Sequence, residues 1–360
     1  METIKTLPKF KKPGENLFFP TLERRIDYHF EKNRIKKTAN IHTYLKAFIL
    51  LAFLCGSYYC VIFANIPAIA KLILCIFIGI DFAAIGFNIM HDAGHGNYSK
   101  KYKKINELLV LSLNLVGANA YLWKTKHNIL HHTYTNIENV DEDIDIPGMR
   151  VHKEQILKKY HKYQHIYWIF LYMFTYFLWV WYADFKKYFT GKINGYKFPK
   201  MKLKNHIIFW ASKAFYTFYM IFIPWYVLGF LPFLAGYLLL CAVCGLFISI
   251  IFQLAHVVEG VANPVVNKEN QIKEDWWKHE VQTTANFATK SRFINWFCGG
   301  LNFQIEHHLF TEINHVHYSG MSPIVKETCE EFGIVYNEKP TFLDALRSHI
   351  NHLKKLGTEV

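Results

Sequence analysis

Four apolar runs decide what this 360-residue chain can fold into. They cover residues 44–64, 68–90, 206–225 and 230–255. A helix needs about 20 apolar residues to cross the hydrocarbon of a bilayer, and each run is near that length. The first pair is divided only by Asn65-Ile66-Pro67, and the second only by Tyr226-Val227-Leu228-Gly229. Each pair must therefore close as a tight hairpin. The apolar residues are blocked rather than periodic, which argues against a soluble domain with a greasy core. The expected fold is an all-α integral membrane protein with four transmembrane helices in two hairpins. Residues 1–43 form a basic cytoplasmic segment, and residues 44–360 a single membrane-embedded domain.

Charge sets the sidedness. Lys and Arg outnumber Asp and Glu by 41 to 28, a net charge of +13. The two hairpin turns hold no Lys or Arg, whereas the N-terminal segment, residues 91–205 and the tail are rich in them. In the N-terminal segment they are Lys9, Lys11, Lys12, Arg24, Arg25, Arg34, Lys36 and Lys37. The positive-inside rule puts those three regions on the cytoplasmic side and removes the need for a nucleic-acid partner. A fifth run, residues 167–185, is aromatic. If it crossed, the segments before and after it would lie on opposite faces. It is therefore expected to lie in the interface or to dip in without crossing. The seven cysteines, including Cys241 and Cys244, form no disulfide framework, and there is no secretory signal peptide. Asp81, inside the second run, is either functional or bonded to a neighbouring helix.

The chemistry lies in histidines at the cytoplasmic helix ends. His91 and His95 follow the second run at i, i+4. His127, His131 and His132 repeat that spacing with one neighbour added. His307 and His308 are adjacent, and His256 ends the last run. Residues four apart share a helix face, so paired imidazoles can point at one ion. Eight imidazoles brought to one side exceed what a single ion takes, so the cytoplasmic cap is expected to hold a dimetal site. All-imidazole sites suit Fe, Zn, Cu or Ni, and spacing does not choose among them. No thiolate stands among the ligands, and no H-E-x-x-H protease signature is present.

The three boxes, HDAGH, HNILHH and QIEHH, resemble those of the membrane fatty acid desaturase superfamily, in order and in placement between spans. The likeness runs from about residue 40 to 355. The stretches HTYTNIENVDEDIDI and QIEHHLF, with Gln304 opening the third box, resemble the front-end, linoleoyl-CoA desaturase-like subgroup. The resemblance implies two iron ions, dioxygen as co-substrate, His256 as a ligand outside the boxes, and a cis double bond introduced into an acyl-CoA or acyl lipid. Front-end enzymes place that bond between the carboxyl and an existing double bond.

Asp92, Glu306, Asn136 and Asp145 are candidates to orient the imidazoles, and Gln304 stands where a ninth histidine would be. His279 reads as a surface residue, and His315 and His317 match no ligand position. Many front-end enzymes carry a fused cytochrome b5 domain with an H-P-G-G signature, absent here. Electrons are thus expected from a separate acidic donor, a ferredoxin or free cytochrome b5. A bacterial inner membrane fits this better than the endoplasmic reticulum. Thr311 stands where a Pro commonly follows the third box and should alter only the local turn. Two alternatives share the scaffold, a di-iron lipid hydroxylase and a sphingoid-base desaturase. A non-enzymatic metal transporter is disfavoured, because it would place ligands at mid-membrane and repeat its halves.

Overall fold

A computed structural model describes residues 6–11 and 17–359; Lys12 of the basic N-terminal segment lies outside them. The chain is mostly helical. Helix α1 (Phe18–Asn33) precedes α2 (Ile41–Phe63) and α3 (Ala68–His95). A bent pair, α4 (Lys103–Leu115) and α5 (Ala120–His131), leads to α6 (Lys159–Thr190), α7 (Leu203–Leu228) and α8 (Phe230–His256). The tail forms α9 (Trp276–Gln282), α10 (Arg292–Cys298), α11 (Gln304–Leu309), α12 (Tyr318–Glu331) and α13 (Phe342–Leu356).

The hairpins close where the sequence breaks them. Pro67 caps the start of α3, where its missing N–H costs nothing. Gly229, at φ 83°, supplies the turn between α7 and α8. Between α3 and α8 the backbones almost touch. A side-chain carbon at Gly79 would lie 2.7 Å from the Leu240 carbonyl oxygen. Exposed Phe48, Phe53, Phe77, Phe215, Phe218, Phe222 and Leu231 give the bundle an apolar exterior, as lipid requires.

Five helices, α2, α3, α6, α7 and α8, are long and apolar enough to cross a membrane, and the bent α4–α5 pair would make a sixth. The expected count of four is therefore not fixed by length and composition. The contacts of α6 bear on it. In its first half, Trp168 and Tyr172 pack with Ile144, Met149 and Val257, the last just beyond the end of α8. Its last turns contact the segments around α5 and the start of α7. Asp184 accepts from the Asn119 amide at 2.8 Å, Lys187 pairs with Glu142, and Tyr188 bonds His206 in the first turn of α7. Between these ends, Trp181 reaches down to Tyr237 at 2.7 Å.

The polar regions build one cap. Buried Phe18, Leu22, Ile26 and Phe30 of α1 pack with Trp277, Val281, Ile305 and Val325, so α1 is a structural part of it. Two-residue strands tie distant segments together. Lys9–Phe10 pairs with Gln271–Ile272, and Asn286–Phe287 with Glu338–Lys339. All seven cysteines are free.

Candidate metal centre

The eight histidines converge, in two adjoining groups. Donor nitrogens of His91, His95, His127, His132 and His307 all lie within 4.8 Å of one another, and so do those of His131, His256 and His308. The groups meet where the His132 and His308 rings stand 4.3 Å apart.

Local backbone geometry assigns each imidazole. His91 and His95 sit on an α-helical turn at the end of α3, and both join the five-histidine group. The second box behaves differently. Residues 126–131 form a π-helical turn, and the His132 amide donates to the His127 carbonyl at 3.0 Å. That i, i+5 bond aligns His127 with His132 and turns His131 toward the other group. His127 and His131 still stand close, since their donor nitrogens and an Asp143 oxygen form a third group within 4.8 Å. The box splits because the helix takes one extra residue per turn. His307 and His308, neighbours on α11, divide in the same way, their ring planes 88° apart. Trp123 stacks on His127 at 4.4 Å, and a side-chain carbon at Gly94 would collide with that indole.

The outer nitrogens explain where the inner lone pairs point. In the three-histidine group, His131 Nδ1 donates to Asp141 at 3.1 Å, with Asp143 at 3.4 Å. His308 Nδ1 donates to Glu280 at 2.6 Å, and His256 Nδ1 to the Thr283 carbonyl at 3.2 Å. Each ring spends its one N–H outward, so each Nε2 turns a lone pair inward. His307 Nδ1 donates to the Tyr318 hydroxyl at 3.1 Å, which itself donates to the Ile313 carbonyl. Burial, reinforced by neighbouring imidazoles, holds His132, His307 and His308 well below the ordinary imidazole range. Burial alone would raise Asp141, but the His131 imidazole facing it holds its carboxyl below the usual range.

Neutral rings packed this closely fit metal ions. His127 Nε2 lies 3.1 Å from the Nε2 atoms of both His91 and His132, and His132 Nε2 is 3.0 Å from that of His307. His131 Nε2, His95 Nε2 and Gln304 Oε1 are buried with no hydrogen-bond partner. Metal–nitrogen bonds of about 2.0–2.1 Å bring ligand atoms to such separations, and imidazole nitrogens suit divalent transition ions. Gln304 lies inside the three-histidine group, its amide nitrogen 2.9 Å from His256 Nε2.

The supporting residues differ in part from those expected. Asp92 is buried but pairs with His315 at 2.5 Å and Asn314 at 2.8 Å, joining the tail to α3 rather than orienting a box histidine. Glu306 accepts from Asn286 and Tyr336, each at 2.7 Å, and likewise braces the cap. The Asn136 side chain donates to the His256 carbonyl at 2.9 Å and its backbone N–H donates to Asp141 at 3.0 Å, so it does stand against the site. Asp145 is exposed. The acidic run turns Asp141 and Asp143 inward instead, because a 3₁₀ turn at Glu142–Ile144, capped by Asp141, fixes their directions. His279 is buried rather than a surface residue, with its Nε2 unpartnered. Sequence reasoning missed Glu280, Thr283 and Tyr318. The one local signal was the position of Glu280 beside His279.

The family model described as "Fatty acid desaturase" matches residues 66–340 of this chain. The acyl-lipid (8-3)-desaturase of Physcomitrium patens is 37% identical over 94% of the chain and 72% of its own length. The sn-1 linoleoyl-lipid 6-desaturase of Arthrospira platensis is 36% identical over 94% and 92%. The enzyme of the same name from Synechocystis is 35% identical over 98% and 99%.

Proposed function

This chain belongs to the fatty acid desaturase family, and we propose that it introduces a cis double bond into a lipid-linked acyl chain, on the carboxyl side of an existing one. The observation that carries the reading is the gathering of eight histidines, seven buried and His95 half-buried, into two adjoining groups. The relatives named as acyl-lipid desaturases favour an acyl lipid over an acyl-CoA, and the 6- and (8-3)-desaturases among them favour the front-end position.

His91, His95, His127, His132 and His307 would hold one iron, and His131, His256 and His308 the other. Gln304 would complete the three-histidine site, since its unpartnered oxygen and its nitrogen can exchange places by a flip of the amide. Once bound, the two irons would activate dioxygen and so supply the oxidising power toward an unactivated C–H bond that no acid–base side chain has. The balance is one acyl CH2–CH2, one dioxygen, two electrons and two protons, giving one CH=CH and two waters.

The protein's own residues do the rest. Asp141, Asp143, Glu280, Thr283 and Tyr318 fix ring orientation. Beside His91 a narrow apolar slot, with about 20 Å³ of free volume, is lined by Phe82, Met90, Trp123, Tyr176 and Phe252 among others. Those walls would hold the chain against the site and keep water out.

Four crossings, α2, α3, α7 and α8, would put all eight histidines of the site on the cytoplasmic face. Contacts of both ends of α6 with the 141–149 segment, through Trp168 near its start and Lys187 near its end, support its dipping in without crossing. The electron donor would be a separate acidic protein, a ferredoxin or cytochrome b5, meeting the basic face, and the membrane that of a bacterial cytoplasm.

The test is expression in a host supplied with defined fatty acids, with new double bonds located by mass spectrometry. A new bond between the carboxyl and an existing one is expected, and its loss in His131→Ala. Bonds introduced only into saturated chains would refute the front-end position. Undiminished product from His131→Ala would refute the metal site.

A further inference from the structure

Among the described residues, Trp123, Tyr318 and Trp276 bring aromatic side chains against the ligand histidines. Trp123 stacks on His127 and Tyr318 bonds His307, and both are buried. Trp276 differs. Its indole N–H donates to the His132 carbonyl at 3.3 Å, yet the residue is only half-buried. The indole also sits against Glu280, which orients His308. The His132 ring stands where the two histidine groups meet, 4.3 Å from the His308 ring. One side chain at the surface of the cap therefore touches the supports of both groups.

The surface beside Trp276 is basic. Trp276 opens α9, three residues after the strand Gln271–Ile272, which pairs with Lys9–Phe10. Side chains alternate between the two faces of a strand. Phe10 turns inward onto Tyr134 and His279, with ring centres 6.0 and 5.3 Å away, and Ile272 is buried. Lys9, Lys11 and Lys273 therefore point outward, and all three are exposed. Lys278 pairs with Glu274, and Asp275 stands against the three lysines. Phe19 of α1 packs edge-on against the indole, 6.0 Å between centres, and holds it in place.

Resting on the desaturase reading above, we infer that Trp276 is the port through which electrons enter the centre, and that the lysines beside it dock an acidic one-electron iron protein. Each docked donor gives up one electron and leaves oxidised. Two such visits supply the two electrons that the reaction consumes. Electron transfer weakens steeply with every ångström of empty space, and a hydrogen-bonded indole removes much of that space. The path runs from the indole to the His132 carbonyl, and along that residue to its ring. Lysines at the rim speed the encounter with an acidic partner and fix its orientation. Trp123 does not serve, because it is buried and lines the apolar slot.

The test uses purified, iron-loaded protein and reduced plant-type ferredoxin, followed anaerobically by stopped flow. Trp276→Leu should take electrons from ferredoxin severalfold more slowly than wild type. With dithionite, a small reductant that needs no docking, the two should be reduced at the same rate and hold the same iron. Trp276→Phe keeps a ring against Phe19 but loses the N–H, and should be slowed in the same direction. Lys9→Glu combined with Lys273→Glu should weaken ferredoxin binding about tenfold or more at low salt, and the difference should shrink as salt is raised. Binding is read by calorimetry and needs no turnover. Ferredoxin reduction at the wild-type rate in either Trp276 variant overturns the port, the result expected of a donor that docks on half-buried His95 instead. Equal slowing with dithionite gives Trp276 a structural role and overturns the port as well. Unchanged binding in the lysine variant overturns the docking surface, as does a wild type that dithionite reduces and ferredoxin does not. Wild type that takes electrons from ferredoxin but forms no unsaturated product would overturn the desaturase reading alone.

Discussion

At the scale of single residues, the centre depends on where each imidazole spends its one N–H. Asp141 fixes His131, and Glu280 fixes His308, both through Nδ1. Replacing Asp141 by Asn should leave the fold intact but weaken metal retention about 10–100-fold, the usual cost of losing such a support. Chelator titration of the purified protein, followed by metal analysis, reads this directly; retention equal to wild type would contradict the role. The box histidines were legible in the sequence because their spacings are local. Glu280 was not, because it lies 28 residues from the ring it orients. A second residue-scale effect concerns His349, buried between the Val257 carbonyl and the Tyr172 hydroxyl. Burial lowers its pKa to about 4. A depressed pKa stabilises the fold above the unfolded value near 6.5, and that stability is lost as pH falls toward 4. The loss approaches about 3 kcal/mol in full. Melting temperatures between pH 7.5 and 5 should fall for wild type, and fall less steeply for His349→Gln.

At the scale of elements, the helices were legible and their irregular turns were not. Runs of apolar residues mark α2, α3, α7 and α8 to within a few residues of their ends, because burial in lipid rewards length and hydropathy alone. The π turn at residues 126–131 leaves no such trace, yet it decides which group His131 joins. Helix α6 was recognised as apolar, but its packing depends on one glycine of another element. A side-chain carbon at Gly245 would stand 2.7 Å from the Tyr172 carbonyl oxygen and 2.8 Å from that of Met173. Backbone cannot yield as a side chain can. Gly245→Val should therefore separate α6 from α8 and cost about 1–3 kcal/mol, read as a lower melting temperature in detergent. A melting temperature equal to wild type would show that the helices are not locked there.

At the scale of the molecule, the arrangement is two hairpins beneath a cap that gathers the candidate ligands from α3, α5, α8 and α11. Sidedness follows if α6 returns without crossing. Cysteines introduced at Gln155 and Lys197, before and after α6, should then react with an impermeant maleimide from the same side, and one at Val227 from the other. Labelling of the first two from opposite sides would put α6 across the membrane. The parity of spans is an expectation from charge and histidine placement, whereas the contacts that tie α6 to the cap depend on pairs such as Lys187–Glu142 that no local pattern announces. The central proposal, two irons held by eight histidines, is tested most directly by counting metal in the purified protein. Two irons per chain are expected, falling to about one in His308→Ala, where only the three-histidine site loses a ligand. One metal per chain in wild type, or zinc in place of iron after expression in iron-replete medium, would contradict it.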